Sequence, residues 1–216
     1  MTSVHNSTTV NRKIAAIILA AGEGSRMGGL PKCLIKINQQ PLLIKQISTL
    51  RSAGIECITV VTGYYHEQVE AIIAEDASLN IVRNIAPERG QQSSVHLGLT
   101  HLQGNADLIL ITLADQPLID ANDLLELVQS YDKRPARSEI LYPVVNGLRG
   151  NPVLMSASSV KDFLKDAATL SCRQYIDTHA SVVYQYTTQN EHFIADLDTP
   201  EDLTALKRKT GLEISL

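Results

Sequence analysis

The chain has 216 residues, 44% of them hydrophobic and 19% charged, which is enough apolar content to bury a sizeable core. Its formal net charge is −4 and its pI is near 5.8, and no run of Lys or Arg forms a patch, so a nucleic-acid partner is excluded. No stretch approaches the roughly 20 apolar residues of a membrane helix, so no membrane partner is expected.

Residues 1–12, MTSVHNSTTVNR, are polar without any period and read as a flexible arm, with structure beginning at Lys13. Arg12 and Lys13 followed by Ile14 to Ala21 imitate the start of a secretory signal. That apolar run is short, however, and breaks into glycines in the register of a strand-to-loop junction. Strand patterns follow at IAAIILA, CITVVTG, NIVRN and DLILITLADQP, and amphipathic helix patterns lie between them at PLLIKQISTLRSAG, HEQVEAIIAED and around SVHLGLTHL. Gly54 falls where a helix C-terminal cap belongs, and Asp120 opens DANDLLELVQSY as an N-cap. The second half is less regular. EILYPVV and NPVLM suggest strands separated by NGLRG, two short helical stretches run through Thr178, SVVYQY reads as another strand, and Thr199 caps a last helix with Pro200 in its first turn. The alternation predicts a three-layer α/β/α, Rossmann-like fold with a mostly parallel central sheet, as one domain over residues 13–216. Cys33, Cys57 and Cys172 are odd in number and widely spaced, so neither a disulfide framework nor a zinc site is indicated and a cytoplasmic location fits.

Three stretches carry candidate chemistry. In ILAAGEGSRMGGLPK, the run after the first strand, Gly22, Gly24, Gly28 and Gly29 let backbone N–H groups approach an anion, while Arg26 and Lys32 add positive charge. GEGSRMG is one residue longer than a dinucleotide-binding G-x-G-x-x-G, and the G-x-x-x-x-G-K-[ST] loop is absent. Glycines alone would be an ordinary turn; together with Arg26 and Lys32 they suit a polyphosphate. In LILITLADQP, Asp115 stands at the end of a buried strand, where it is either a turn residue before Pro117 or a ligand for a hard cation such as Mg²⁺. In ADLDTPEDL, Asp196 and Asp198 share a face if the segment is extended, and are either surface charge or partners of Asp115 in a metal site.

LAAGEGSRMGGLPK, LADQP and DLDTPEDL, in that order and spacing, resemble the MobA-like NTP transferase family, and in particular its molybdenum-cofactor cytidylyltransferase branch. Asn84, Gly90, Ser93 and Ser94 in NIAPERGQQSSVHLGL, the segment GLRGNPVLM and the helix start LSCRQYI also resemble that branch. The sequence departs from it at Pro87, Asn151, Ala168 and Thr169, the last three on the acceptor side. The resemblance implies a nucleotidyltransferase fold and a Mg²⁺-dependent transfer of CMP from CTP to a phosphorylated acceptor, the molybdopterin cofactor, with release of pyrophosphate. It implies Arg26, Lys32 and Asp115 as catalytic residues, and Asp115 with Asp198 or Asp196 as metal ligands. Leu19, Ala20, Ala21, Gly22, Gly24, Asn84, Gly90, Ser93 and Ser94 would contact the nucleotide, and Arg149 and Asn151 the acceptor. Ala21, in L-A-A-G rather than L-A-G-G, favours CTP among the NTPs. A molybdoenzyme or its chaperone is the protein partner implied. Two alternatives stay open: transfer to a sugar- or polyol-phosphate, and a non-catalytic nucleotide- or pterin-binding relative.

Overall fold

The computed structural model describes residues 12–166 and 170–215. Residues 1–11 of the expected arm, together with Ala168 and Thr169, lie outside the described residues. The chain runs through β1 (Ile14–Ala20), two single 3-10 turns (Ser25–Met27 and Lys32–Leu34), β2 (Lys36–Ile37), β3 (Gln40–Pro41), α1 (Leu42–Ser52), β4 (Cys57–Thr62), α2 (His66–Ala71), β5 (Asn80–Arg83), α3 (Gln91–Leu102) and β6 (Leu108–Leu113). It continues through α4 (Ala121–Asp132), β7 (Ile140–Val145), β8 (Leu148–Arg149), β9 (Val153–Ser156), α5 (Ala157–Asp166), α6 (Cys172–Thr178), β10 (Val183–Thr188), α7 (Pro200–Thr210) and β11 (Ile214–Ser215).

The main sheet has the order β10-β7-β9-β6-β1-β4-β5, with β8 folded back on β7. β1 pairs in parallel with β6 on one side and β4 on the other, and β5 extends the parallel run. Its central place follows from composition: an apolar run with no polar face is stable only where both faces are covered. Ala16, Ile18 and Ala20 pack with Leu43, Ile47 and Leu50 of α1, Val69 of α2 and Leu124, Leu127 and Tyr131 of α4. Ala15, Ile17 and Leu19, alternating onto the opposite face, meet Val95, Leu99 and Leu102 of α3, Phe163 of α5 and Tyr175 and Ile176 of α6. The three layers expected from the sequence are therefore present. Gly98 brings α3 close to the sheet, because a Cβ there would lie 2.8 Å from Ile17 Cγ2 and 3.0 Å from Val61 Cγ2.

The expected caps also form. Asp120 accepts from the N–H groups of Asn122 and Asp123, and Thr199 makes a reciprocal capping box with Asp202 ahead of α7. Gly54 follows the end of α1 at φ +80°, the left-handed position that favours glycine. Two features were not legible. β9 lies antiparallel between β6 and β7, the product of the β7–β8 hairpin turning at Asn146 (φ 51°) and Gly147 (φ 79°). A small antiparallel sheet, β11-β2-β3, closes over a third apolar cluster of Met27, Ile35, Ile37, Leu42, Leu197 and Leu206 beneath the glycine loop. No helix among the described residues is long and apolar enough to cross a membrane.

Candidate active site

Parallel strands bring their carboxyl ends to one edge of the sheet, and the crevice outside that edge is where loops can gather around a ligand. The glycine loop leaves β1 there. Gly24 sits at φ +65°, and a Cβ on it would come within 2.0 Å of the Leu30 carbonyl oxygen, so the loop closes on itself at this residue. The Gly24 carbonyl accepts from Met27 N–H (2.8 Å) and Gly29 N–H (3.1 Å). The Tyr65 hydroxyl bridges the Glu23 and Gly29 carbonyls at 2.8 and 2.5 Å and ties the two ends of the turn together. The N–H groups of Gly22, Glu23 and Gly24 donate to no acceptor among the described residues, which leaves them available to an anion.

The acidic wall is assembled from two distant segments. Asp115 follows β6, and its carbonyl accepts from Leu197 N–H at 3.0 Å. Leu197 is 2% exposed and buries its side chain in the third cluster, so Asp196 and Asp198 on either side of it turn the opposite way, toward Asp115. Lys32 Nζ lies 2.9 Å from Asp115 Oδ2 and 2.5 Å from Asp198 Oδ1, and Arg26 Nη1 is 3.4 Å from Asp198 Oδ2. Burial works to lower the Lys32 pKa, but the pull of Asp115 and Asp198 outweighs it and holds the ammonium above its ordinary value. Asp196 is pushed up to about 6, first by burial and then by the Asp115 and Asp198 charges. Its Oδ1 and the Oδ1 of Asp115 are buried with no hydrogen-bond partner among the described residues. The open oxygens on Asp115 and Asp196 are suited to a divalent cation, although the ligand atoms of Asp115, Asp196 and Asp198 do not all come within 4.8 Å of one another and Lys32 already pairs with two of the three carboxylates.

A cavity of about 410 Å³ runs along this edge. Leu19, Ala20, Ala21, Gly22, Gly24, Lys32, Gly90, Ser94 and Asp115 all line it. Asn84 and Ser93 stand behind the wall: Asn84 Nδ2 donates to Ser93 Oγ (2.8 Å) and Ser94 Oγ (2.9 Å). Arg26 is an exposed residue beside Asp198. Arg149 and Asn151 are not part of the lining. Arg149 stacks 4.3 Å above the Tyr142 ring and pairs with Asp177 Oδ1 at 2.6 Å, while its Nη1 is buried with no partner among the described residues. Asn151 N–H donates to the Phe193 carbonyl at 2.9 Å. Sequence reasoning did not single out Tyr65, or the cavity-lining Tyr64, Glu88 and Gln91. Tyr64 and Tyr65 follow the end of β4, so the strand-end rule applied to that strand as well would have flagged them.

A second acidic group resembles a metal site less than its composition suggests. Ligand atoms of Asp120, Asp123 and His192 lie within 4.8 Å of one another. Asp120 is spent on capping α4, and Asp123 accepts from Asp120 N–H (2.9 Å), Asn190 Nδ2 (2.6 Å) and His192 Nδ1 (2.9 Å), so this cluster fastens the helix start to the 191–194 turn. The cysteines behave as small apolar residues. Burial pushes the Cys33 thiol up to about 12 and the Cys172 thiol up to about 11, which keeps both from forming a nucleophilic thiolate.

A cationic glycine loop facing clustered carboxylates across the carboxyl edge of a parallel sheet is the arrangement of a nucleotidyltransferase. More particularly, the profile of the MobA-like NTP transferase domain matches residues 16–183, and the chain belongs to that family. Among curated proteins, the bifunctional protein GlmU of Syntrophomonas wolfei is 32% identical over 135 residues, taking in 60% of this chain and 28% of that protein. The matched region thus amounts to little more than a quarter of the relative's length. Among solved structures, Rv0371c from Mycobacterium tuberculosis H37Rv superposes with a TM-score of 0.71 at 19% identity, covering 91% of this chain and 98% of the other. The CTP:phosphocholine cytidylyltransferase of Streptococcus pneumoniae gives a TM-score of 0.67 at 18% identity, covering 91% and 99%. At these identities the structural likeness defines the fold.

Proposed function

We propose that the protein transfers CMP from CTP to a phosphorylated acceptor, the molybdopterin cofactor, with Mg²⁺ as cofactor and pyrophosphate as the second product. The observation that carries this reading is the pairing of Asp115 and Asp198 with the Lys32 ammonium at the phosphate-binding edge, with Asp196 near enough to feel both carboxylate charges and with orphaned carboxylate oxygens on Asp115 and Asp196. A protein that only bound a nucleotide would gain nothing from concentrating three carboxylates where a polyanion sits.

In the proposed reaction an acceptor phosphate oxygen attacks the α-phosphorus of the nucleotide. The bond to the α,β-bridging oxygen breaks, and pyrophosphate leaves with that electron pair. Arg26 and Lys32 neutralise charge on the triphosphate as it builds on the leaving group, and the free amides of Gly22 to Gly24 orient it. Asp115 with Asp198 or Asp196 would hold the cation, which supplies charge neutralisation at the phosphate oxygens when bound. Ala21 in L-A-A-G supports CTP as the nucleotide. On the acceptor side, the unpartnered Nη1 of Arg149 is suited to a phosphate oxygen, with Asn151 beside it in sequence. A solved relative of the same fold, Rv0371c, has been crystallised in complex with manganese, which supports a divalent ion in this class.

The test is pyrophosphate release across the four NTPs with a panel of phosphorylated acceptors that includes molybdopterin. Wild type is expected to turn over CTP with molybdopterin only when Mg²⁺ is present, and Asp115→Asn to lose at least a hundredfold while keeping its melting temperature. Wild-type turnover in Asp115→Asn, or turnover with a sugar phosphate in place of molybdopterin, would sink the corresponding part of the reading.

A further inference from the structure

The base end of the cavity contains a hydrogen-bond network whose direction is fixed, and this inference rests on the nucleotide reading above. Asp115 leaves β6 on one side of β1, whereas α3 packs over β1 and β4 on the other, with Ser94 one turn before the close contact at Gly98. Lys32, Asp115 and Ser94 line the same cavity, so a nucleotide with its phosphates at Lys32 and Asp115 would have room to extend its base toward Ser94.

Asn84 is 6% exposed, and its backbone is fixed by donation to the Thr62 carbonyl at 2.9 Å. Its side-chain oxygen accepts from Ala86 N–H at 3.0 Å. A backbone N–H has only a proton to offer, so the atom facing it must be Oδ1, and the amide orientation is settled without appeal to the serines. Nδ2 then directs its two protons to Ser93 Oγ and Ser94 Oγ, at 2.8 and 2.9 Å. Ser93 passes its own proton to the Gly90 carbonyl at 2.8 Å and is closed. Ser94 accepts from Asn84 but donates to no acceptor among the described residues, although it is only 3% exposed and lines the cavity. A buried hydroxyl that already accepts from Asn84 and whose proton has no acceptor among the described residues is disposed to donate into the cavity it lines.

We propose that Asn84 is a positioning residue that holds the Ser94 hydroxyl as a donor toward the cavity, where it meets a ring-nitrogen or carbonyl acceptor of the bound nucleobase. Asn84 itself touches no ligand in this arrangement. Asn84→Asp keeps the shape and reverses the direction: a carboxylate draws both serine protons to itself, and Ser94 then presents lone pairs to the base.

Calorimetry with the NTP that wild type binds tightest tests this, run in about 0.3 M salt to screen the added charge, on wild type, Asn84→Asp, Ser94→Ala and the double variant. Asn84→Asp is expected to weaken binding about tenfold or more, and to weaken it less than twofold further when Ser94 is already alanine. Inorganic tripolyphosphate, which has no base, serves as the control probe, and its affinity should change less than threefold in Asn84→Asp. A merely structural Asn84 would give equal losses with and without the Ser94 hydroxyl and parallel losses for tripolyphosphate. Either result, or an unchanged NTP affinity, overturns the proposal. Failure of wild type to bind any of the four NTPs would overturn the nucleotide reading itself and this inference with it.

Discussion

Asp196 is the acidic residue whose ionisation the fold opposes, and replacing it with asparagine should stabilise the protein in a pH-dependent way. Its carboxyl ionises at about 6 in the folded chain against an ordinary value of 3.8. A folded-state pKa above the unfolded one means that the native state favours the protonated form. That contribution is fully present below pH 3.8 and is lost as pH rises through about 6. The gap corresponds to about 3 kcal/mol. Discounting for the group's residual solvent contact leaves about 1–2 kcal/mol. Asn cannot ionise, so Asp196→Asn should exceed wild type by that amount above pH 7 and converge on it as pH falls toward 4. For a chain of this size the gain equals about 3–6 °C in melting temperature. Urea unfolding at pH 4.5, 5.5, 6.5 and 7.5, with chelator present, measures it. Added Mg²⁺ should then raise the wild-type midpoint at pH 7.5 more than that of the variant, through ligand linkage. A difference that does not vary with pH, or a variant less stable than wild type at pH 7.5, would refute the assignment of repulsion and burial as the cause.

Two further outcomes separate the site from its scaffold. Gly24→Ala and Gly28→Ala both place a side chain at positive φ, +65° and +71°, but only the first drives a Cβ to 2.0 Å from the Leu30 carbonyl. Each should cost about 1–2 kcal/mol in backbone strain; Gly24→Ala should in addition weaken NTP binding at least tenfold, and equal affinities in the two variants would mean that the Gly24–Leu30 approach does not shape the loop. Asp120→Ala removes the α4 cap and should lower the melting temperature by about 2–4 °C. Calorimetric Mg²⁺ and NTP affinities should not change in that variant; a loss of metal affinity would mean that the Asp120–Asp123–His192 group, rather than the Asp115 cluster, takes the ion.

Much of this was legible because it is local. Strand patterns that alternate with amphipathic stretches report burial directly, and IAAIILA became β1 with the boundaries its composition implies. Asp120 and Thr199 cap their helices because a short acceptor side chain ahead of a helical pattern needs no distant partner. The antiparallel β9 was harder, since NPVLM has the same apolar content as a parallel strand and direction depends on the connection before it. The Asn146–Gly147 pair was the available signal. The two-residue strands β2, β3 and β11 are too short for any period to register.

The candidate site divides the same way. The sequence by itself determined the cationic glycine loop, the strand-end Asp115 and the Asp196–Asp198 pair, because glycine spacing, strand endings and two-residue alternation are properties of contiguous chain. Only the tertiary structure decided that Lys32 and Asp198, 166 positions apart, stand 2.5 Å from each other, that Asp196 is the carboxylate held up at about 6, and that Asn84 and Ser93 stand behind the cavity wall while Ser94 faces into it. Distance, burial and hydrogen-bond direction arise between segments, and sequence order carries no record of them until the sheet brings those segments to one edge.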